Sequence, residues 1–389
     1  MRYLTLLEFT NGTTAVLAFP SFFVERLFVN SSVTIKRLSA SIAFISAAGI
    51  ALTGCSETES SSSAAFTGAS GELVAEGASS QQNAMDYFNV RYQEAFSGSS
   101  LAYNASGSGS GRKNFIAGQV AFGGSDSPLA QEQIQPAKDR CNGNDAWHLP
   151  MVVGPVAVAY NLSGVDHLNL PTAVIAKIFA GKITQWNDPA IAEANKGVSL
   201  PDTKISVIYR SDESGTSDNF QKFLTAAAPQ EWTTSGSAFP ASVGSGANGS
   251  NGVASETKTI DGAITYVESG FARQQGLNVA AIDFGAGPVE LNSASVGKAL
   301  DALSFKTEGH DMVVDTKALF AQKAEGTYPL VLTTYEIVCS AGYDEATRTN
   351  VKNFLSQVLK SQVSKLEELG YIPVQGKHLE RLTAAVDAL

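Results

Sequence analysis

Short apolar runs alternate with clusters of small polar residues along the chain from residue 71 onward. ELVAEG at 72–77 reads as a strand that runs into Ala78, Ser79 and Ser80. From Gln81 to Phe96, apolar residues recur at Ala84, Tyr87, Phe88, Tyr92, Ala95 and Phe96, a spacing that predicts a helix. Ser79 or Ser80 is its natural N-cap. A second strand is predicted at 101–105, then the run GSGSG at 107–111 and a helix over 112–118. A third strand, 120–123, ends in Gly124, Ser125 and Asp126. Beyond it, the pattern predicts helices over 171–181 and 215–228, a strand over 205–209, loops over the Gly/Ser-rich 235–252, and a helical tail from Asp344. Strand, glycine-serine turn, helix: this alternation implies an α/β architecture with a parallel or mixed sheet.

Two apolar runs are longer than one strand needs. WHLPMVVGPVAVAYN (147–161) reads as an extended segment bent between two domains, and TYPLVLTTYEIVCS (327–340) as the return crossing. The first domain is then 71–154 with 331–389, and the second is 155–330. Two crossings leave a cleft between the domains, where small ligands bind and hinge closure is the usual motion.

The N-terminal region reads as targeting sequence. Lys36 and Arg37 precede an apolar stretch, Leu38 to Ala51, of about the length of a signal-peptide core. It ends in Leu52-Thr53-Gly54-Cys55, which resembles a bacterial lipobox, so residues 1–54 form a signal region and Cys55 is the expected lipidation site. The stretch is too short and too rich in Ser, Ala and Gly for a membrane span. A Ser-rich tether follows over 55–70. Residues 1–32 carry a second apolar patch ahead of the basic pair, which suggests an over-extended start, with translation beginning near Val33. The expected location is the outer face of the cell membrane, held by a lipid.

Composition narrows the function. The 389 residues carry a formal net charge of −10, which argues against nucleic acid as a partner. A small anion feels local dipoles more than total charge. Of three cysteines, Cys55 is assigned to the lipid; Cys141 and Cys339 remain, in an oxidising space, as one disulfide or as two free thiols. No CxxC and no Cys/His cluster suggests zinc, so neither metal nor cofactor is expected.

Three places share one grammar: a strand end, small hydroxyl and glycine residues, then a helix. They are GASS at 77–80, GSGSG at 107–111 and DESGTS at 212–217. Free backbone N–H groups and the helix dipole make such starts anion sites. Arg210 stands at a strand end beside the third of them. VAFGGSDSPL (120–129), GSGSGRKNFIAG (107–118) and YRSDESGTSDNF (209–220) together resemble the periplasmic phosphate-binding proteins of the PstS type, the capturing subunits of phosphate ABC importers. The similarity extends through 154–164, 175–191 and 262–268.

The resemblance implies a two-domain periplasmic-binding-protein fold of type II with mixed sheets. It implies a monomer with inorganic phosphate as ligand and the importer's permease subunits as partners. It implies that Arg210 pairs with phosphate and that Asp212 orients Arg210. Ser214, Gly215 and Thr216 would donate from the helix start, Ser108 from the glycine-rich loop, and Asp126 would contact the ion directly. The first loop departs from the family's Thr-Phe pair. Ser79 keeps the hydroxyl there, and Ser80 is left with its backbone N–H.

These residue types suit the task. Phosphate near neutral pH keeps a proton, and removing it from water costs several kcal/mol. Charge-assisted hydrogen bonds contribute about 1.5–3 kcal/mol each, so a handful reaches the roughly −8 kcal/mol of micromolar binding. Asp126 makes sense as acceptor of the proton that phosphate retains. Sulfate has none and would face an unpaired like charge. The rival ligands are therefore other oxyanions such as sulfate or molybdate. A hydrolase or phosphatase is the rival class, against which stand the lack of a GxSxG setting and four scattered histidines (His148, His167, His310, His378).

Overall fold

Two long strands run through the centre of the molecule and connect its halves. The computed structural model describes residues 71–389 apart from position 241; the signal region, Cys55 and the tether lie outside the described residues. The strands are β1 (Glu72–Gly77), β2 (Ser100–Asn104), β3 (Phe122–Ser125), β4 (Ala146–Asn161), β5 (Asn169–Pro171), β6 (Ser206–Arg210), β7 (Ser245–Ala247), β8 (Ala263–Glu268), β9 (Asn278–Val279), β10 (Ala281–Asp283), β11 (Pro288–Val289) and β12 (Val331–Cys339). The main sheet has the order β2-β1-β3-β12-β4-β8-β6-β7, with β9 added to β4. β5, β10 and β11 form a small separate sheet.

Pairing is parallel at both ends of the main sheet, where βα crossovers build it, and antiparallel where β12 and β4 cross. β4 changes partner along its length. Residues 146–155 pair with β12, and 156–161 pair with β8. The two halves of the molecule, its lobes, divide there, between a first half built on β1–β3 and a second built on β6–β8. Both crossing strands are buried over most of their length, which accounts for their unbroken apolar character. The register slips between Thr334 and Tyr335, opposite Pro150, a residue with no N–H to give the ladder. The fold is thus the expected mixed α/β type.

Among the described residues, the first eight α-helices in chain order are α1 (Gln82–Ala95), α2 (Ser108–Ile116), α3 (Gln131–Arg140), α4 (Thr172–Phe179), α5 (Pro189–Ala194), α6 (Gly215–Ala227), α7 (Gly249–Thr259) and α8 (Ser269–Gln274). Helix α2 begins at Ser108, four residues before the expected Arg112, inside the glycine run. Glycine is a poor helix former, but here tertiary packing decides. A Cβ on Gly111 would lie 2.5 Å from the carbonyl oxygen of Gly124 and 2.7 Å from Cα of Gly77, so only glycine lets the helix lie against these strands.

Three other expectations are corrected. Neither Ser79 nor Ser80 caps α1; both sit in a single 3-10 turn, Ser79–Gln81, and their side chains point elsewhere. The stretch 235–252, expected as loops, contains β7 and the start of α7. The tail is broken between Lys360 and Lys365, then helical again over Lys365–Glu368 and Gly376–Asp387. Leu303, Phe305 and Val314 share one apolar cluster with Phe115, Val120 and Tyr335.

Aromatic clusters fill the two halves. Phe122 stacks on Phe354, which meets Tyr92 edge-on, in the first. Tyr266 stacks on Phe220, with Phe179 and Phe239 around it, in the second. Cys141 and Cys339, both fully buried, are joined in a disulfide that ties the end of α3 to the end of β12.

Candidate functional site

Asp126 follows β3, where the strand has carried it inside the molecule; it is 8% exposed. Three hydroxyls donate to its carboxylate. Ser80 Oγ and Thr334 Oγ1 reach Oδ1 at 2.6 and 2.8 Å, and Ser108 Oγ reaches Oδ2 at 3.2 Å. The backbone N–H of Asp126 donates to Ser108 Oγ at 3.0 Å. Burial pushes its pKa up to about 6, with the charge of Glu268 adding to the rise; the hydrogen bonds from Ser80 and Thr334 and the charge of Arg210 act the other way.

Arg210 ends β6 and is 2% exposed. Its guanidinium forms a fork on Asp212, Nε to Oδ1 at 2.7 Å and Nη2 to Oδ2 at 2.5 Å. The remaining nitrogen, Nη1, donates to Thr216 Oγ1 at 3.3 Å and Ser250 Oγ at 3.2 Å. Burial by itself would raise the Asp212 carboxyl, but the Arg210 hydrogen bonds and charge, with the N–H of Gly249, bring it below its ordinary value. The pair is therefore ionised, and its geometry is fixed from both sides.

Helix α6 begins between these two groups. Ser214 caps it, accepting from the N–H of Ser217 at 3.1 Å. Thr216 Oγ1 donates to Glu268 Oε1 at 2.7 Å, while Glu268 Oε2 is buried without a partner. A Cβ on Gly215 would lie 2.4 Å from Ser108 Oγ and 2.5 Å from Cβ of Asp126. The start of α6 thus abuts the first half directly. Further contacts join the two halves: Gly109 N–H to the carbonyl of Glu213 at 2.9 Å, Lys113 to Glu213, and Ser127 Oγ to Asp218.

Sequence reasoning singled out Ser79, Ser80, Ser108, Asp126, Arg210, Asp212, Ser214, Gly215 and Thr216, and the fold brings them to one place. Ser80 differs from expectation in detail, since its hydroxyl, not only its backbone, is engaged. Three further residues were missed. Ser250 lies in the Gly/Ser-rich stretch whose pattern predicts loops, although SGANGSNG repeats the strand-small residue-helix grammar. Thr334 sits inside an apolar run, a lone signal of a polar group aimed inward. Glu268 ends the strand motif GAITYVE. A cavity of about 840 Å³, lined by Leu300, Phe305, Val374 and Arg381, does not touch this site. The histidines stand apart too. His148 is a packing residue, accepting the Leu129 N–H and facing Asp311, and burial pushes His378 down to about 4.

Two lobes joined by paired crossings, with polar groups from both converging on one buried spot, define a binding protein of the periplasmic type. Residues 62–361 match the model of the PBP superfamily domain, and the chain belongs to that superfamily. Within it, the phosphate-binding protein PstS2 of Mycobacterium bovis is 42% identical over 366 residues, covering 91% of this chain and 99% of the relative. PstS3 of the same organism is 40% identical over 368 residues with the same coverage. The chain belongs to the PstS family of phosphate-binding proteins, which are binders rather than enzymes. Among solved structures, a high-affinity periplasmic phosphate-binding protein bound with phosphate matches with a TM-score of 0.66 at 21% identity, covering 81% of this chain and 93% of that one. A phosphate-binding protein from Stenotrophomonas maltophilia matches with a TM-score of 0.60 at 20% identity, with the same coverage. These two are likenesses of fold.

Proposed function

We propose that this protein captures inorganic phosphate between its lobes and delivers it to the permease of an ABC importer, as a monomer held at the outer face of the cell membrane through a lipid on Cys55. The observation that carries the reading is Asp126: a buried carboxylate set among hydroxyl donors, beside an arginine already neutralised by its own aspartate. A site for any anion would exclude such a group. A site for an anion that still carries a proton uses it as the acceptor.

The other roles follow from chemistry. Asp212 offsets most of the Arg210 charge, so the ion is held chiefly by hydroxyl and N–H dipoles, with Ser79, Ser108, Ser214 and Thr216 supplying hydroxyls; those of Ser108 and Thr216 turn to the ion from Asp126 and Glu268. Gly215 and Thr216 supply N–H groups at the start of α6, where the helix dipole favours negative charge. Ser80 contributes at the first loop and steadies Asp126. Fully ionised sulfate and molybdate would leave Asp126 facing a like charge with no proton between.

Two experiments test the reading. In equilibrium dialysis at neutral pH, radiolabelled phosphate should be retained and should survive a large excess of sulfate; displacement by sulfate overturns the phosphate assignment. Cys55→Ala should move the protein from the membrane to the soluble fraction, and an unchanged distribution overturns the lipid anchor.

A further inference from the structure

Contacts that form only when the two lobes meet decide how long a bound ion stays. One such contact joins Ser79, just after β1 in the first lobe, to Ser250, the second residue of α7 in the second. The N–H of Ser250 donates to Ser79 Oγ at 2.9 Å, and the two hydroxyls lie 3.1 Å apart. Both residues are buried, Ser79 at 3% and Ser250 at 1% exposure. Ser250 Oγ also accepts from Arg210 Nη1 at 3.2 Å.

A helix start normally offers its free N–H groups to water or an anion. In α7 the first two are already taken. Gly249 gives its N–H to Asp212 Oδ1 at 3.1 Å, the carboxylate that aims Arg210, and Ser250 gives its own to the opposite lobe. Gly249 has φ +70°, a conformation that favours glycine and brings the turn to Ser79. The start of α7 therefore serves the protein rather than the ion. It fastens the arginine's buttress on one side and the first lobe on the other.

We propose that Ser250 is a latch residue: it joins Ser79 to Arg210 in the closed molecule and sets the residence time of the bound ion. The proposal rests on the phosphate reading above. By accepting the Ser250 N–H, the Ser79 hydroxyl is held in place beside the site. Opening the lobes breaks this contact, so it acts on release and not on capture.

The test uses full-length wild type, Ser250→Ala, Ser79→Ala and the double variant, loaded with radiolabelled phosphate and chased with unlabelled phosphate. Ser250→Ala is expected to release the label about five- to tenfold faster, the loss of about one net hydrogen bond, with its association rate unchanged. In the Ser79→Ala background, adding Ser250→Ala should accelerate release less than it does in wild type, because both substitutions remove the same hydroxyl–hydroxyl contact, while the N–H of residue 250 is kept in Ser250→Ala. Wild-type release from Ser250→Ala, a loss carried by association instead, or effects that simply multiply would overturn the latch. Should Ser250→Ala fail to fold, Ser79→Ala alone must still speed release, and an unchanged rate there overturns it as well. A wild type that retains no label overturns the phosphate reading and the latch with it.

Discussion

Asp126 concentrates the chemistry of this protein into one ionisable group. Folding raises its pKa from an ordinary 3.8 to about 6, chiefly through burial. An acid raised in this way binds its proton more tightly in the folded than in the unfolded chain. Its contribution therefore favours the ion-free fold below about pH 4 and is lost as pH rises toward about 6. Asp126→Asn removes that cost. Its ion-free melting temperature should exceed that of wild type at pH 8 and converge with it by about pH 4, as thermal melts across this range will read. Phosphate affinity should fall in the same variant, a stability gain set against function. Ser80→Ala tests the neighbouring donor. The sequence pattern leaves Ser80 only its backbone N–H, which an alanine would keep. With its hydroxyl 2.6 Å from Oδ1 of Asp126, removal should lower phosphate affinity about tenfold, the scale of one hydrogen bond to a charged group; titration calorimetry checks it. Arg210, Asp212 and the SGT run were legible because they are local in sequence. Thr334 and Glu268 were not, since each comes to the site across a sheet from a strand whose polar member looks incidental.

Glycine decides how closely the elements approach one another. At the start of α6, Gly215 is where the second lobe meets Ser108 and Asp126, and any side chain would strike both. Gly215→Ala should leave the fold of each lobe intact but hold them apart. Phosphate should then bind far more weakly, and small-angle scattering with phosphate present should show no compaction; wild-type affinity would refute the close approach. The same physics explains what the pattern missed. Helix α2 begins in the glycine run and α7 in a Gly/Ser stretch, where the sequence pattern places the first helix later and a loop instead of the second. Propensity argues against a helix at such positions. The compensation, packing of glycine Cα atoms against neighbouring strands, is a tertiary fact that no local window contains. Long apolar strands and amphipathic helices, by contrast, declared themselves, with boundaries a few residues off.

Across the whole molecule, two crossing strands carry both the architecture and the expected motion. β4 pairs with β12 over one part and β8 over the other, so a bend near residues 155–156 would move the lobes as bodies. The disulfide from Cys141 to Cys339 lies within the first lobe, away from the site, and closes a sequence separation of 198. Cys339→Ser paired with Cys141→Ser should cost about 2–5 kcal/mol of unfolding free energy in denaturant titration while leaving phosphate affinity unchanged. A lost affinity would mean that the bond acts on the cleft. The two-lobed plan was legible from the two overlong apolar runs. The packing of Leu303, Phe305 and Val314 beside Phe115, Val120 and Tyr335 was not, because those positions carry no strong periodicity of their own. The proposed function requires that the lobes enclose a tetrahedral anion that keeps its proton and donates it as a hydrogen bond to Asp126. Calorimetric titration of wild type and Asp126→Asn, first with phosphate and then with sulfate at pH 8, tests it most directly. Wild type should show one tight phosphate site and no sulfate binding, and the variant weaker phosphate binding with measurable sulfate binding. Equal discrimination in both proteins would contradict it.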